Sequence, residues 1–202
     1  MKKIIGITGG IGSGKSTVAE IIEEFGYPVY YSDDLAKEIV NNDAELQLKI
    51  RALLGDEAYD ASGRYDRAFV AQKVFDNVNQ LNQLNSLIHP AVKKDFERWV
   101  EDQDETFLFK ETALLFELKL HEACDRSILV TADDEIRIRR VMERDNKTTG
   151  QVQAIINRQM PENEKAAMAD FVIFNNEGFA ELRNATNLVL KQLVASFDQE
   201  NS

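Results

Sequence analysis

Residues Gly9-Gly10-Ile11-Gly12-Ser13-Gly14-Lys15-Ser16 satisfy the pattern G-x-x-x-x-G-K-[ST] at every defined position. Glycines in such a run let the backbone turn tightly and aim successive N–H groups inward, which makes a concave nest for an anion. A lysine at the end of the nest reaches the outer phosphates of a nucleoside triphosphate, and the hydroxyl beside it suits Mg²⁺. Lys15 and Ser16 take these two places. The chemistry this predicts is the capture of a triphosphate.

Such a nest depends on a strand before it and a helix after it. The apolar run Ile4-Ile5-Gly6-Ile7 reads as a buried parallel strand. Val18, Ile21, Ile22 and Phe25 then recur at i, i+3, i+4, i+7 along one helical face, so a helix begins at the loop and adds the positive end of its dipole. Further apolar runs at 28–31, 106–110, 127–131 and 171–175 alternate with helical patterns. The expected class is α/β, a mainly parallel five-stranded sheet flanked by helices within one domain of 202 residues. Two stretches exceed ordinary crossovers. Residues 33–104 read as a helical insertion with a turn-rich connection from Gly55 to Tyr65, and its last helix is expected to begin at His89-Pro90. Residues 136–165 form a second insertion that carries most of the arginines and ends near Met160-Pro161. Phe179 to Phe197 reads as a closing helix.

Several other residues could do chemistry. Asp33 follows the second strand, which puts it at that strand's carboxyl end beside the phosphate loop, where a carboxylate can take a proton from an acceptor hydroxyl. It can equally cap the next helix, as can Ser32 or Asp34. Glu111 follows the third strand and is either a helper for the metal or an exposed acid. Between Arg137 and Lys147, five basic residues stand against two acids in a chain of net charge −11. Arg137, Arg140 and Arg144 share one helical face, so three guanidiniums could grip phosphate oxygens. A surface laced by pairs such as Arg140 with Glu143 or Asp145 is the plainer reading. The position of the segment in the second insertion of an expected phosphotransferase favours the first. His89 reads as a structural hydrogen-bonder, and Cys124, the single cysteine, as a small core filler.

Bulk properties narrow the function. An acidic chain with a pI near 4.7 disfavours nucleic acid and anionic membrane as partners. With one cysteine, no signal peptide and no long apolar run, a cytoplasmic protein is expected. A guanine-reading Asn-Lys-x-Asp segment is missing, as is an apolar strand ending in adjacent acids, so a GTPase or an ATP-driven motor is disfavoured against a phosphotransferase.

Taken together, the residues closely resemble the dephospho-CoA kinase family, which has a P-loop kinase fold. The match runs through Ile7 to Thr17, Asp33, Gly63, Arg67, Phe75, Leu84-Asn85, His89-Pro90, Leu114-Leu115-Phe116-Glu117, Arg140, Arg144-Asp145, Gln159, Lys165, Ala169-Asp170 and Asn175-Asn176. Two positions depart from the family's habit: Tyr31 stands where a further acid is common, and Ala113 where a proline is usual. The resemblance implies ATP-dependent phosphorylation of the ribose 3′-hydroxyl of dephospho-CoA. It implies a loop of Gly10, Ile11, Gly12, Ser13, Gly14 and Lys15 around the phosphates, with Ser16 and Thr17 near Mg²⁺ and the α-phosphate. Asp33 would serve the hydroxyl, and Arg140 with Arg144 would close a lid over the donor. Arg67, His89, Leu114, Leu115 and Glu117 would hold the acceptor, while Asn175 and Asn176 would border the adenine. Another small-molecule or nucleoside monophosphate kinase of this fold, and a nucleotide-sensing switch, are the rival readings.

Overall fold

The computed structural model describes residues 1–75 and 77–200. The strands are β1 (Lys3–Thr8), β2 (Val29–Tyr31), β3 (Phe107–Glu111), β4 (Arg126–Thr131) and β5 (Phe171–Phe174). The helices, in chain order, are α1 (Lys15–Glu24), α2 (Ser32–Asn42), α3 (Ala44–Leu54), α4 (Arg67–Phe75), α5 (Val78–Asp102), α6 (Asp134–Asp145), α7 (Thr149–Ile156), α8 (Glu162–Met168) and α9 (Phe179–Glu200). They form two compact units, one of residues 1–30 with 104 onward and the other of residues 31–103.

In the first unit the sheet order is β2-β3-β1-β4-β5, and the β1–β3, β1–β4 and β4–β5 ladders are parallel. β1 is therefore central, and its residues from Ile5 to Thr8 are buried, as an apolar strand covered on both faces requires. Gly6 is needed there. A Cβ on it would lie 2.7 Å from Leu115 Cδ2 and 3.3 Å from Cys124 Sγ, so the side chains above the strand use the space a larger residue would fill. α1 packs on α9, and α6, α7 and α8 occupy the expected second insertion.

The second unit has its own apolar cluster, with Val40, Leu46, Ile50, Leu54, Tyr59, Val70 and Leu84 buried together. Asp43 caps α3 by accepting from Leu46 N at 3.0 Å, and Asn77 caps α5 by accepting from Gln80 N at 3.0 Å. The predicted turn region contains an antiparallel bridge between Tyr59 and Tyr65, with Ser62 and Arg64 donating their backbone N–H groups to Asp60 Oδ1. One boundary is corrected. His89-Pro90 does not start a helix but lies inside α5, which is continuous from Val78 to Asp102. A proline there removes one donor, and both His89 and Pro90 are exposed, so solvent can satisfy the carbonyl left over.

Among the described residues, no helix is long and apolar enough to cross a membrane. Ile50 is fully buried, so Ile50→Ala should cost about 2–5 kcal/mol in urea unfolding followed by circular dichroism. Burial pushes the Cys124 thiol up to about 11, which leaves it protonated at pH 8. A thiol reagent should therefore label it slowly in the native protein and fast in urea, and equal rates would contradict this environment.

Candidate active site

The phosphate loop leaves β1 at Thr8 and enters α1 at Lys15. Gly12 and Gly14 both have positive φ, 77° and 92°, a region that favours glycine. α1 starts on Gly14 with no side-chain cap and no acid in its first turn, so its positive end is left for an external anion. The loop walls a cavity of about 410 Å³, together with Ser16, Thr17, Ala113, Arg140, Arg144 and Gln159. Every predicted loop residue from Gly10 to Thr17 lines it.

The loop's outer side is equally occupied. A Cβ on Gly10 would collide with the Arg137 guanidinium and the Glu162 carboxylate, and one on Gly12 would lie 2.5 Å from the Arg137 carbonyl oxygen. A Cβ on Gly14 would strike the Asn175 amide. Two expectations are refined here. Ile11 donates its N–H to Gln159 Oε1 at 2.9 Å, and its carbonyl accepts from Arg137 Nε at 3.0 Å. Ser13 donates its N–H to the Gly10 carbonyl at 3.1 Å, and its own carbonyl accepts from Asn175 Nδ2 at 2.8 Å. Ile11 and Ser13 thus shape the loop with backbone groups expected to meet phosphate.

The face of three guanidiniums is corrected as well. Arg137 is 1% exposed and points to the loop backbone, with Asp134 at 3.1 Å and Glu162 at 3.6 Å from Nη1. Only Arg140 and Arg144 reach the cavity wall. Arg140 donates to the Asn175 backbone oxygen at 2.9 Å and to its Oδ1 at 3.3 Å, not to Glu143 or Asp145. Arg144 instead takes Asp145 in a two-pronged pair at 2.7 and 3.0 Å. That hydrogen-bonded guanidinium holds the Asp145 carboxyl below the ordinary range, and the same contact raises Arg144. Asn176 closes on Asp133, donating from Nδ2 at 3.0 Å and accepting the Asp133 N–H at 2.8 Å. Both asparagines therefore tie loops together at the end of β5.

Glu111 is not an exposed acid. It is 3% exposed, ends β3 and forms an ion pair with Lys15. Within the predicted acceptor stretch, Leu114 is exposed, while Leu115 is fully buried over Gly6 and belongs to the core. Glu117 faces inward too, accepting the Met160 N–H at 3.2 Å and pairing with Lys165, itself fully buried, at 3.1 Å. Neither Leu115 nor Glu117 presents an open contact surface.

In the second unit Asp33 lies in the first turn of α2, and none of Ser32, Asp33 or Asp34 is the cap. β2 runs directly into α2, so Tyr31 takes the capping position with no side-chain bond. Asp33 lines a second cavity of about 340 Å³, with Arg67, Lys37, Asn41, Tyr65 and Asn85 among its polar walls. His89 lies on the exposed surface of α5 and does not line this cavity. The inward turns of Arg137 and Lys165 were not legible in the sequence, where both types read as surface residues. Gln159 carried only the resemblance, without a role.

Comparison with known proteins agrees with this geometry. The profile of one protein family, described as dephospho-CoA kinase, matches residues 3–181. A dephospho-CoA kinase of Leptospira interrogans is 38% identical over 181 residues, covering 89% of this chain and 87% of that protein. The crystal structure of a Thermus thermophilus protein superposes with a TM-score of 0.85 at 35% identity, covering 95% of this chain and 98% of the other. The dephospho-CoA kinase from Campylobacter jejuni superposes with a TM-score of 0.70 at 26% identity, over 96% and 98% of the two chains. A complete phosphate loop, a pair of cavity arginines and a match across nearly the whole length lead to one assignment: the chain belongs to the dephospho-CoA kinase family.

Proposed function

We propose that this protein transfers the γ-phosphoryl group of ATP to the ribose 3′-hydroxyl of dephospho-CoA, giving coenzyme A and ADP in the last step of coenzyme A synthesis. The observation that carries this reading is the cavity at the phosphate loop. It combines an uncapped helix start, Lys15 and two arginines in a chain that is otherwise strongly acidic. Such a cavity suits a polyanion and little else.

The loop amides bind the phosphates, and Lys15 leaves Glu111 to meet the β/γ-oxygens. Arg140 moves from Asn175 onto the donor, and Arg144 follows or braces the segment from α6 to α8 as a lid. Closure driven by ligand keeps water from competing with the acceptor. Asp33 orients the acceptor hydroxyl and receives its proton. Arg67 meets anionic groups of the acceptor, and Val70, Leu84 and Ile88 in the same cavity offer an apolar wall to its uncharged arm. Leu114 contributes an exposed contact, backed by Leu115 and Glu117, while His89 lies on the exposed face of mid-α5, outside this cavity. Asn175 and Asn176 flank the donor's base.

The donor set also fits Mg²⁺. No cluster of three or more His, Cys, Asp or Glu side chains occurs among the described residues, so no all-protein cage is offered. Ser16 is an exposed hydroxyl on the cavity wall, and the Glu111 carboxylate ends β3. That oxygen set suits a cation held chiefly by phosphates and water. When bound, Mg²⁺ would neutralise charge on the β- and γ-phosphates.

Incubation with ATP, Mg²⁺ and dephospho-CoA should yield coenzyme A by mass spectrometry. Product from a different acceptor, and none from this one, would overturn the assignment. Lys15→Ala should lower kcat by about 10²–10³-fold in a coupled ADP assay, because a charge that stabilises the transition state is lost. Asp33→Asn should lower kcat by about 10²-fold or more while KM for ATP stays within about twofold. A change in ATP affinity alone would make Asp33 a structural residue.

A further inference from the structure

A trans peptide points its C=O and N–H in opposite directions, so whatever grips one carbonyl aims the next residue's N–H the other way. In this loop the Ile11 carbonyl is gripped by Arg137 Nε at 3.0 Å. Its partner across the same peptide is the N–H of Gly12, a residue that lines the cavity, whereas Arg137 does not. Ser13 and Gly14 repeat the arrangement, with Asn175 Nδ2 holding the Ser13 carbonyl. On the other side of Ile11, Gln159 Oε1 takes the N–H, so the residue is pinned at both of its peptides. Were the Ile11–Gly12 peptide to flip, a carbonyl would face the phosphates in place of a donor.

We propose that Arg137 is a positioning residue for the donor triphosphate, fixing the Ile11–Gly12 peptide so that the Gly12 N–H faces the anion. It touches the loop only from the outer side. Its burial fits this task better than a stabilising one. A buried guanidinium is costly to desolvate, and an apolar side chain of similar volume often packs at least as well. Arg137 is 1% exposed, and its neighbour Glu162 has both carboxylate oxygens buried without a hydrogen bond, so charge balance alone leaves its surroundings unsatisfied. What the guanidinium adds is a directed Nε donor beside two charged Nη groups. A lysine ammonium in the same place could balance Asp134 and Glu162 but lacks the planar fork that reaches Ile11 at the same time. Gly10 accommodates the arrangement, since any Cβ there would displace Arg137.

The inference rests on ATP being the donor, and its test is chosen to separate the two. ATP with Mg²⁺ is titrated calorimetrically into the wild-type protein, Arg137→Met and Arg137→Lys. Thermal unfolding and KM for dephospho-CoA are measured on the same samples. Both variants should bind ATP about tenfold or more weakly, as a misaimed loop predicts, with KM for the acceptor within about twofold of wild type. Arg137→Lys keeps the buried charge and carries the test alone if Arg137→Met does not fold. Wild-type ATP affinity in Arg137→Lys would overturn the proposal. So would a parallel loss of ATP and acceptor binding, which marks a merely structural residue. If the wild-type protein itself binds no ATP, the donor assignment fails and this inference falls with it.

Discussion

Gly10, Gly12 and Gly14 each have a neighbour where a side chain would otherwise sit: the Arg137 guanidinium, the Arg137 backbone and the Asn175 amide. The glycines are therefore demanded from two directions. The positive φ of Gly12 and Gly14 curls the loop into a nest suited to an anion, and the Cβ atoms that all three glycines lack let α6 and the residue just after β5 press against it. A nest of main-chain amides has no strength of its own beyond the direction in which those amides point. Here that direction is held by side chains from three separate segments of the chain.

The electrostatics follow from the same crowding. The protein carries a net charge of −11, so a polyphosphate approaching it meets repulsion everywhere except where positive groups are gathered. Lys15, Arg140 and Arg144 are gathered on one cavity wall, and each already has a partner: Glu111, Asn175 and Asp145 respectively. Under the proposed function, an incoming triphosphate would exchange these contacts for its own oxygens. Part of its binding energy would go into that exchange, which would favour a ligand with enough charge to replace all three partners.

Much of the fold was legible because period and length speak plainly in strands and amphipathic helices. Each strand range read from apolar runs lies within a residue or so of the observed one, from Lys3–Thr8 through to Phe171–Phe174. The phosphate loop was equally plain, since its glycines and lysine are a local pattern. The continuation of α5 through Pro90 was not, because proline usually marks a boundary and only its exposure explains the exception. Arg137 and Arg140 stand three residues apart with the same side chain, yet one is sealed in and the other lines a cavity. Helical spacing puts both on one face but cannot say that Ile11 will lie against the first. The resemblance makes Leu115 and Glu117 a contact surface, whereas Leu115 fills the space above Gly6 and Glu117 turns to the buried charge of Lys165.

Residues 31–103 bury an apolar cluster of their own. A segment organised in this way can open and close as a cooperative block without melting the sheet that bears the phosphate loop. Amide exchange would then sort the polypeptide into two protection classes. Each class would then report on one apolar core without reference to the other.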